Sequence, residues 1–484
     1  MLLYTSNDNK IIHGCSLLLC KLLSIHQANV FIKCKIHTIL IHLISKWNKR
    51  LSTLFYSSSF QNIIDGLQIL SIWTVNNYHI LIQLKQHNFI SKLHNWVTQW
   101  FVQLPVSNTC WLNIEIWELV GIILKNIVGV GCINNKQSYN NRSSKNILLK
   151  YEYDDYTIIM DMVYNILRLI FREIPKSFEM VTQKVKIDCC KVIINLVDIH
   201  QFGGIIDFLT QDNELYVAKE LIQAILLSEY PSLRSAVIKM FNGIIYQCDE
   251  DDDVVQLLIE DCQILNKIKS ILINENIDPE IQHWIFILLS NIICHDYGAQ
   301  IITNDSELIQ IITNGLTSSN FTNIRDGSIY CINNLLNAEN EMTQFIVFKH
   351  LIPSFCTSLK KLNQYRMNEG NKKEYIALIK SMTNKLRKYN KSGQDEQLSI
   401  LKLVANQLKK YEFVSICDDL ILNDDNIYIK DVLWILLGNM QYLTDIASHE
   451  TIKKMNEWNN KISKLIDEED NLWKILGKTP PQKM

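Results

Sequence analysis

The run Asp278-Pro279-Glu280-Ile281-Gln282-His283-Trp284-Ile285-Phe286-Ile287-Leu288-Leu289-Ser290-Asn291 decides the fold. Ile281, Ile285, Leu288, Leu289 and the following Ile292 recur at i, i+4, i+7, i+8 and i+11. That spacing draws one continuous apolar stripe along an α-helix. Residues 114–128, 160–171, 185–197 and 217–227 read the same way. No stretch sustains the period-two alternation of a half-buried strand.

Composition points in the same direction. Only 15 glycines and 7 prolines punctuate 484 residues. All-β folds need more turns, and doubly wound α/β folds usually need glycine-rich loops, so long helices with short connections fit best. A hydrophobic share of 48% against 20% charged residues excludes a disordered tail. The length exceeds one ordinary core of roughly 250–300 residues, so the chain must divide into domains or stack repeats.

An element does recur: a mostly apolar helix carrying a late asparagine. It stands at Asn77, Asn126, Asn195, Asn242, Asn291, Asn334, Asn384 and Asn439, with successive gaps of 49, 69, 47, 49, 43, 50 and 55 residues. The long gap straddles a polar stretch at about 135–155, read as an inserted loop. The period is close to that of armadillo and HEAT units. Such units stack because two or three short helices cannot hide their apolar faces alone. The expectation is therefore an all-α, armadillo/HEAT-type, right-handed superhelical solenoid of about eight repeats with a concave groove. Its expected parts are a helical N-terminal cap (1–50), the repeats (51–445), a C-terminal capping helix (446–476) and a tail (477–484). The acidic run Asp249–Asp253 reads as a solvated loop leading into a helix N-terminus. Lys388–Gln397 reads as a mobile loop.

Two adjacent segments carry a family resemblance. Asp278-Pro279-Glu280-Ile281 followed by Leu289-Ser290-Asn291 resembles an armadillo unit of importin-α, the nuclear-import adaptor. Ser328-Ile329-Tyr330-Cys331-Ile332-Asn333-Asn334 and then Thr343-Gln344-Phe345-Ile346-Val347 follow that family's spacing into the next unit. Phe348-Lys349-His350-Leu351-Ile352-Pro353 looks like the entry to a further repeat. In that family, groove tryptophans hold lysine stems by cation–π attraction of about 0.5–2 kcal/mol each. Asparagine amides one turn later bond the backbone of an extended peptide. The resemblance implies peptide contact by Trp73, Asn77, Asn126, Asn242, Asn291, Tyr330 and Asn334. It implies a protein or peptide ligand in the groove and a nuclear transport carrier; a cytoplasmic or nuclear location is expected from the absence of a recognisable secretory signal or membrane span.

The sequence departs from that pattern in a specific way. Only Trp73 and Tyr330 place an aromatic ring four residues before a repeat asparagine. Elsewhere the position holds Ile122, Lys191, Ile238, Ile287, Lys380 or Ile435. Isoleucine has no π face, and lysine repels a basic ligand. Trp117, Trp284 and Trp434 are out of register and read as core. Residues 1–50 lack a dense basic cluster like the family's autoinhibitory arm. The asparagines themselves admit two readings: contact with a peptide, or bonds to the backbone of a neighbouring repeat. The alternative function is thus a scaffold for a cytoskeletal, ciliary or signalling assembly.

Chemistry-bearing motifs are absent: no glycine-rich phosphate loop, HExxH or GxSxG occurs. Cys294 and His295 adjoin, but neighbours at a helix end point apart, so no nucleophilic dyad is expected. The scattered histidines, His37 and His42 included, lack metal-ligand spacing. The reading is a non-enzyme without metal or cofactor. A formal net charge of −2 and the lack of a long basic run disfavour direct nucleic-acid binding. The thirteen cysteines contain no CxxC pair and read as buried hydrophobes of a reducing compartment. The uncharged run 66–84 carries too many polar groups for membrane insertion, and no secretory signal is evident.

Overall fold

The computed structural model describes residues 60–416 and the isolated position 460. The main interruptions are 104–109, 139–152, 175–178, 201–214 apart from 204 and 209, 249–251, 274–276, 318–321 and 362–368; shorter ones fall at 76–77, 87, 227–228, 339–340, 393 and 414. The expected N-terminal cap at 1–50, the C-terminal cap at 446–476 apart from position 460, and the tail lie outside the described residues, as do Trp434 and Asn439. The described residues contain helices and no strand. They divide into two compact units, at residues 1–249 and 250–484.

In unit 1 the helices are α1 (Phe60–Trp73), α2 (Tyr78–Gln86), α3 (Phe89–Gln103), α4 (Cys110–Ser138), α5 (Tyr153–Glu173), α6 (Glu179–His200), α7 (Tyr216–Ala224) and α8 (Pro231–Gln247). They pack in two layers. One is the succession α1, α4, α6, α8, each helix against the next, and these we term ladder helices; the other runs α3, α5, α7. The predicted stripes form the seam between layers, with Ile123, Leu124, Val163, Leu167, Val192, Ile193 and Leu221 all fully buried. Each such aliphatic side chain contributes about 1.5–3 kcal/mol on burial. Helix occupies both ends of the expected 135–155 loop, since α4 runs to Ser138 and α5 starts at Tyr153. The carboxylates Asp154 and Asp155 lie in the first turn of α5, where the helix dipole favours them.

Unit 2 repeats the plan with α9 (Asp252–Glu260), α10 (Ile264–Leu272), α11 (Pro279–Ile293), α12 (Asp296–Asn304), α13 (Ser306–Asn314), α14 (Thr322–Asn337), α15 (Glu341–Lys360), α16 (Glu369–Ser392) and α17 (Asp395–Lys410). The ladder succession is α11, α14, α16, and α9, α12, α15, α17 form the second layer. Three helices make a unit, as in α9–α10–α11 and α12–α13–α14, which is the armadillo/HEAT-type organisation expected. Local chemistry starts these helices. Asp278 caps α11 by accepting the amide of Glu280 at 2.8 Å, and Pro279 follows at the first helical position. Asp305 caps α13 by accepting the amides of Glu307 and Leu308.

The stripe that opened the sequence reading is core: Ile281, Ile285, Leu288, Leu289 and Ile292 are all buried. Gly327 lets α14 approach α11 closely, because a Cβ there would stand 2.7 Å from that of Phe286. Asp252 and Asp253 occupy the first turn of α9, in line with the helix-start reading of the acidic run. Lys388–Gln397 is mostly helical, contrary to expectation: α16 continues to Ser392 and α17 begins at Asp395. Buried Leu386 and Tyr389 anchor one side of α16 there, while Lys388 and Lys391 face solvent. The polar composition marked a solvated face rather than a loop.

Candidate functional site

Two of the repeat asparagines, Asn334 and Asn126, join adjacent ladder helices. Asn334 on α14 donates from Nδ2 to the Ser290 carbonyl at 3.1 Å and to Ser290 Oγ at 3.0 Å on α11, and approaches Cys294 Sγ at 3.1 Å. Asn126 on α4 donates from Nδ2 to the Ser71 carbonyl and to Thr74 Oγ1, both at 3.0 Å, at the end of α1. Asn195 on α6 packs against α4, its Nδ2 standing 3.2 Å from where a Cβ on Gly129 would be. Asn334 and Asn126 thus each meet the late turn of the preceding ladder helix, and Asn334 adds a second donor to the Ser290 carbonyl, which also accepts the Cys294 amide.

These bonds fix the register of the repeats. Ser290 directly precedes Asn291, so Ser71 directly precedes the equivalent position, Ile72. Asn77 is five residues further on and out of register. It lies outside the described residues, and so does the side chain of Trp73. α1 ends at Trp73, with a turn at 74–75.

In unit 2 the outward faces of α11 and α14 lie side by side. Tyr330 is 40% exposed, one turn before half-buried Asn334. On α11, Trp284, Ile287 and Asn291 are half-buried on one face. Trp284 was expected in the core; it sits instead at the surface, its ring 5.6 Å from that of His283. Trp117 is fully buried as expected. His283 Nδ1 lies 2.9 Å from the Asn323 carbonyl, so the two helices are tied at both ends of this face. Exposed Glu280 and half-buried Asp326 flank it.

In unit 1 the equivalent face has a different character. Ile122 is half-buried and Lys191 exposed at the positions one turn before Asn126 and Asn195. On α8 the expected position, Ile238, is fully buried, and Asn242 is only 6% exposed. The outward residues there are Ser232, Ser235, Lys239 and Tyr246. The solvent face of α8 is thus shifted by one residue from the asparagine spacing, and Lys239 takes the outward place. Lys125 pairs with buried Asp188 at 2.7 Å, and Lys184 pairs with Glu118.

Other histidines and cysteines among the described residues join helices or lie in the core. His295 turns to Asp252 at 3.2 Å, joining α12 to α9, while Cys294 is exposed beside Asn334, so the two form no dyad. His94 and Asp161, 2.7 Å apart, join α3 to α5 in the same manner. Burial pushes the Cys190 thiol up to about 12 and the Cys189 and Cys331 thiols well above their usual range. Among the described residues no His, Cys, Asp and Glu cluster is arranged to hold a metal. No single described helix is long and apolar enough to cross a membrane; α11 and α12 meet the length and composition only together, across a 116° bend.

The inter-repeat acceptors Ser71, Thr74 and Ser290 were not foreseen. Their partners lie 44–55 residues away, and nothing local in the sequence marks an acceptor for a distant amide.

No family model matches the chain, and no curated protein matches it by sequence. Among solved structures it is similar to SYS-1 in a complex with POP-1, at 13% identity and a TM-score of 0.42, over 93% of this chain and 87% of that one. It is similar to SYS-1 alone at 14% identity and 0.41, over 94% and 88%. A circular tandem repeat protein aligns at 13% identity and 0.32, over 93% and 96%. These likenesses are weak, and the reading of the fold rests on the helix packing itself.

Proposed function

We propose that the chain is a non-catalytic binding scaffold, whose ladder face in unit 2 holds an extended segment of a partner protein. The observation that carries this is Tyr330. An aromatic ring 40% exposed on a helix whose other face is core leaves apolar surface for a ligand. Asn334, one turn later, is held by its Nδ2 bonds to Ser290, and its carbonyl oxygen is the group that would accept a backbone N–H of the segment. Asn291 and Trp284 extend the same surface on α11. The finer reading is an importin-α-like adaptor for basic, nuclear-localisation-type segments, acting between cytoplasm and nucleus with a transport carrier. Glu280 and Asp326 beside the aromatic residues support a cationic ligand at this face.

A labelled lysine-rich peptide titrated against the full chain tests it. Binding weakened by Tyr330→Ala supports the reading, and absence of binding rejects the basic-signal form. The second reading, a scaffold of a cytoskeletal, ciliary or signalling assembly, is favoured by Ile122, Lys191 and Lys239 on the unit 1 face, where a basic segment would find no aromatic slot. Recovery of such an assembly with the intact chain, and of no transport carrier, decides for it.

A further inference from the structure

We infer that the outward face of α15 and α17, in the second layer of unit 2, docks on an anionic lipid surface, its lysines meeting the headgroups without inserting. This face belongs to the layer that does not carry the ladder, so this inference and the function proposed above can fail separately.

The outward stripe of α15 runs through Ile346, Lys349, Pro353, Thr357 and Lys360, with Lys361 next to it. That of α17 runs through Ser399, Lys402, Asn406, Lys409 and Lys410. Steps of three and four residues keep each set on one helix face. The two helices pack side by side. At 1.5 Å per residue, Lys349 and Lys360 stand about 16 Å apart along α15, and Lys402 and Lys409 about 10 Å apart along α17. Packed helix axes lie about 8–10 Å apart. The lysines therefore form a two-dimensional array rather than a single row. All are exposed except Lys361, which is half-buried.

Among the described residues none of these lysines is in an ion pair. Lys410 lies 5.4 Å from the centroid of the Tyr411 ring. No Asp or Glu occurs at 342–368 or 397–411. The acidic residues of the two helices, Glu341, Asp395 and Glu396, stand at the helix starts. Asp395 and Glu396 are about 20 Å from Lys409 along α17, beyond the screening length of about 8 Å at physiological salt. In the adjoining α12 and α13, Asp296 is likewise at a helix start, and Asp305 and Glu307 hold Lys269. Glu412, exposed, follows Lys409 and Lys410 and offsets one charge there. Positive charge thus prevails over the middle and last turns of both helices.

The composition of the face selects the occupant. Neither helix contains arginine. Lysine is a hydrated point charge that needs no fixed partner geometry, which suits a mobile headgroup layer. Clusters of roughly four to eight such residues bind anionic lipid. Among the described residues, no exposed large hydrophobic side chain lies on α15 or α17. The face therefore lacks the aromatic anchors of a protein interface and the stacking platforms of a single-strand binder. Attraction by charge alone remains.

The test is co-sedimentation of the full chain with phosphatidylcholine vesicles, with and without phosphatidylserine. The wild type binds only the vesicles with phosphatidylserine, and binding falls as salt is raised. The triple variant Lys402→Gln, Lys409→Gln, Lys410→Gln binds at least tenfold more weakly, and the corresponding Arg-for-Lys variant retains binding. All three positions are exposed, so the circular dichroism melt of the glutamine variant matches that of the wild type. Tyr330→Ala leaves vesicle binding unchanged. No binding of the wild type to phosphatidylserine vesicles, equal binding by the glutamine variant, or release of the chain from vesicles by a single-stranded oligonucleotide or an acidic peptide at equimolar charge would each overturn the proposal.

Discussion

Asn334 reaches back 44 residues to bond the main-chain carbonyl of Ser290, and Asn126 makes the corresponding bond to Ser71. One polar side chain thereby closes the end of one ladder helix and fixes the register of the next. A residue type that suggested a ligand contact is also part of the seam between repeats.

Asn334→Ala should therefore loosen the repeat interface whatever it does to ligand binding. The lost hydrogen bonds cost about 0.5–1.5 kcal/mol, with Asn126→Ala comparable. Urea unfolding followed by circular dichroism reads the loss as a lower midpoint. An unchanged midpoint for both variants would show that the bonds do not hold the seam.

Gly327→Ala tests the close approach of α11 and α14. Its methyl would meet the Phe286 Cβ at 2.7 Å, and neither the helix backbone nor that atom can swing away. Overpacking of this kind costs about 1–3 kcal/mol, although alanine has the higher helix propensity. A thermal melt at or above that of the wild type contradicts the packing described.

Lys125→Met should be more damaging than a surface change. Asp188 is nearly inaccessible, its side chain 4% exposed, and it would lose its partner. An uncompensated buried carboxylate costs about 3–5 kcal/mol. The double variant Lys125→Met, Asp188→Leu should recover most of that loss in equilibrium unfolding.

The Lys269 ammonium bonds Asp305 at 2.8 Å and Glu307 at 2.7 Å. Burial alone would raise the Asp305 carboxyl, but Lys269 and the amides it caps hold it below its ordinary value. Asp305 first and Glu307 second hold Lys269 above its own. A depressed carboxyl stabilises the fold above its unfolded pKa, and the contribution is lost as pH falls through the folded value. A raised lysine stabilises below its unfolded pKa and loses the effect as pH rises through the folded value. The pair therefore contributes across neutral pH and fails at both extremes. Asp305→Asn keeps the cap but removes the charge, so its melting temperature should vary less with acid than that of the wild type.

Cysteine labelling separates surface from core. Among the described cysteines Cys294 is exposed, whereas Cys189, Cys190, Cys248, Cys262, Cys331 and Cys356 are buried. Iodoacetamide at neutral pH should modify Cys294 in the native chain, and the buried six only after denaturant. Early modification of Cys190, whose thiol burial pushes up to about 12, would contradict its placement.

The sequence alone determined the helices and their buried stripes. Apolar spacing such as Ile281, Ile285, Leu288 and Leu289 is a local property, and a scarcity of breakers leaves helix as the ready solution. It also determined that repeats of this period must stack, since none can bury its apolar residues alone. Only the tertiary structure decided the register of the ladder and the side chains that face outward. A one-residue shift on α8 buries Ile238 and turns Lys239 outward, because each residue advances about 100° around a helix. Asparagine spacing could not carry that angle across an interval of variable length. Trp284 at the surface and Asn334 bound to Ser290 follow from contacts between helices more than 40 residues apart in the chain, which local pattern does not encode.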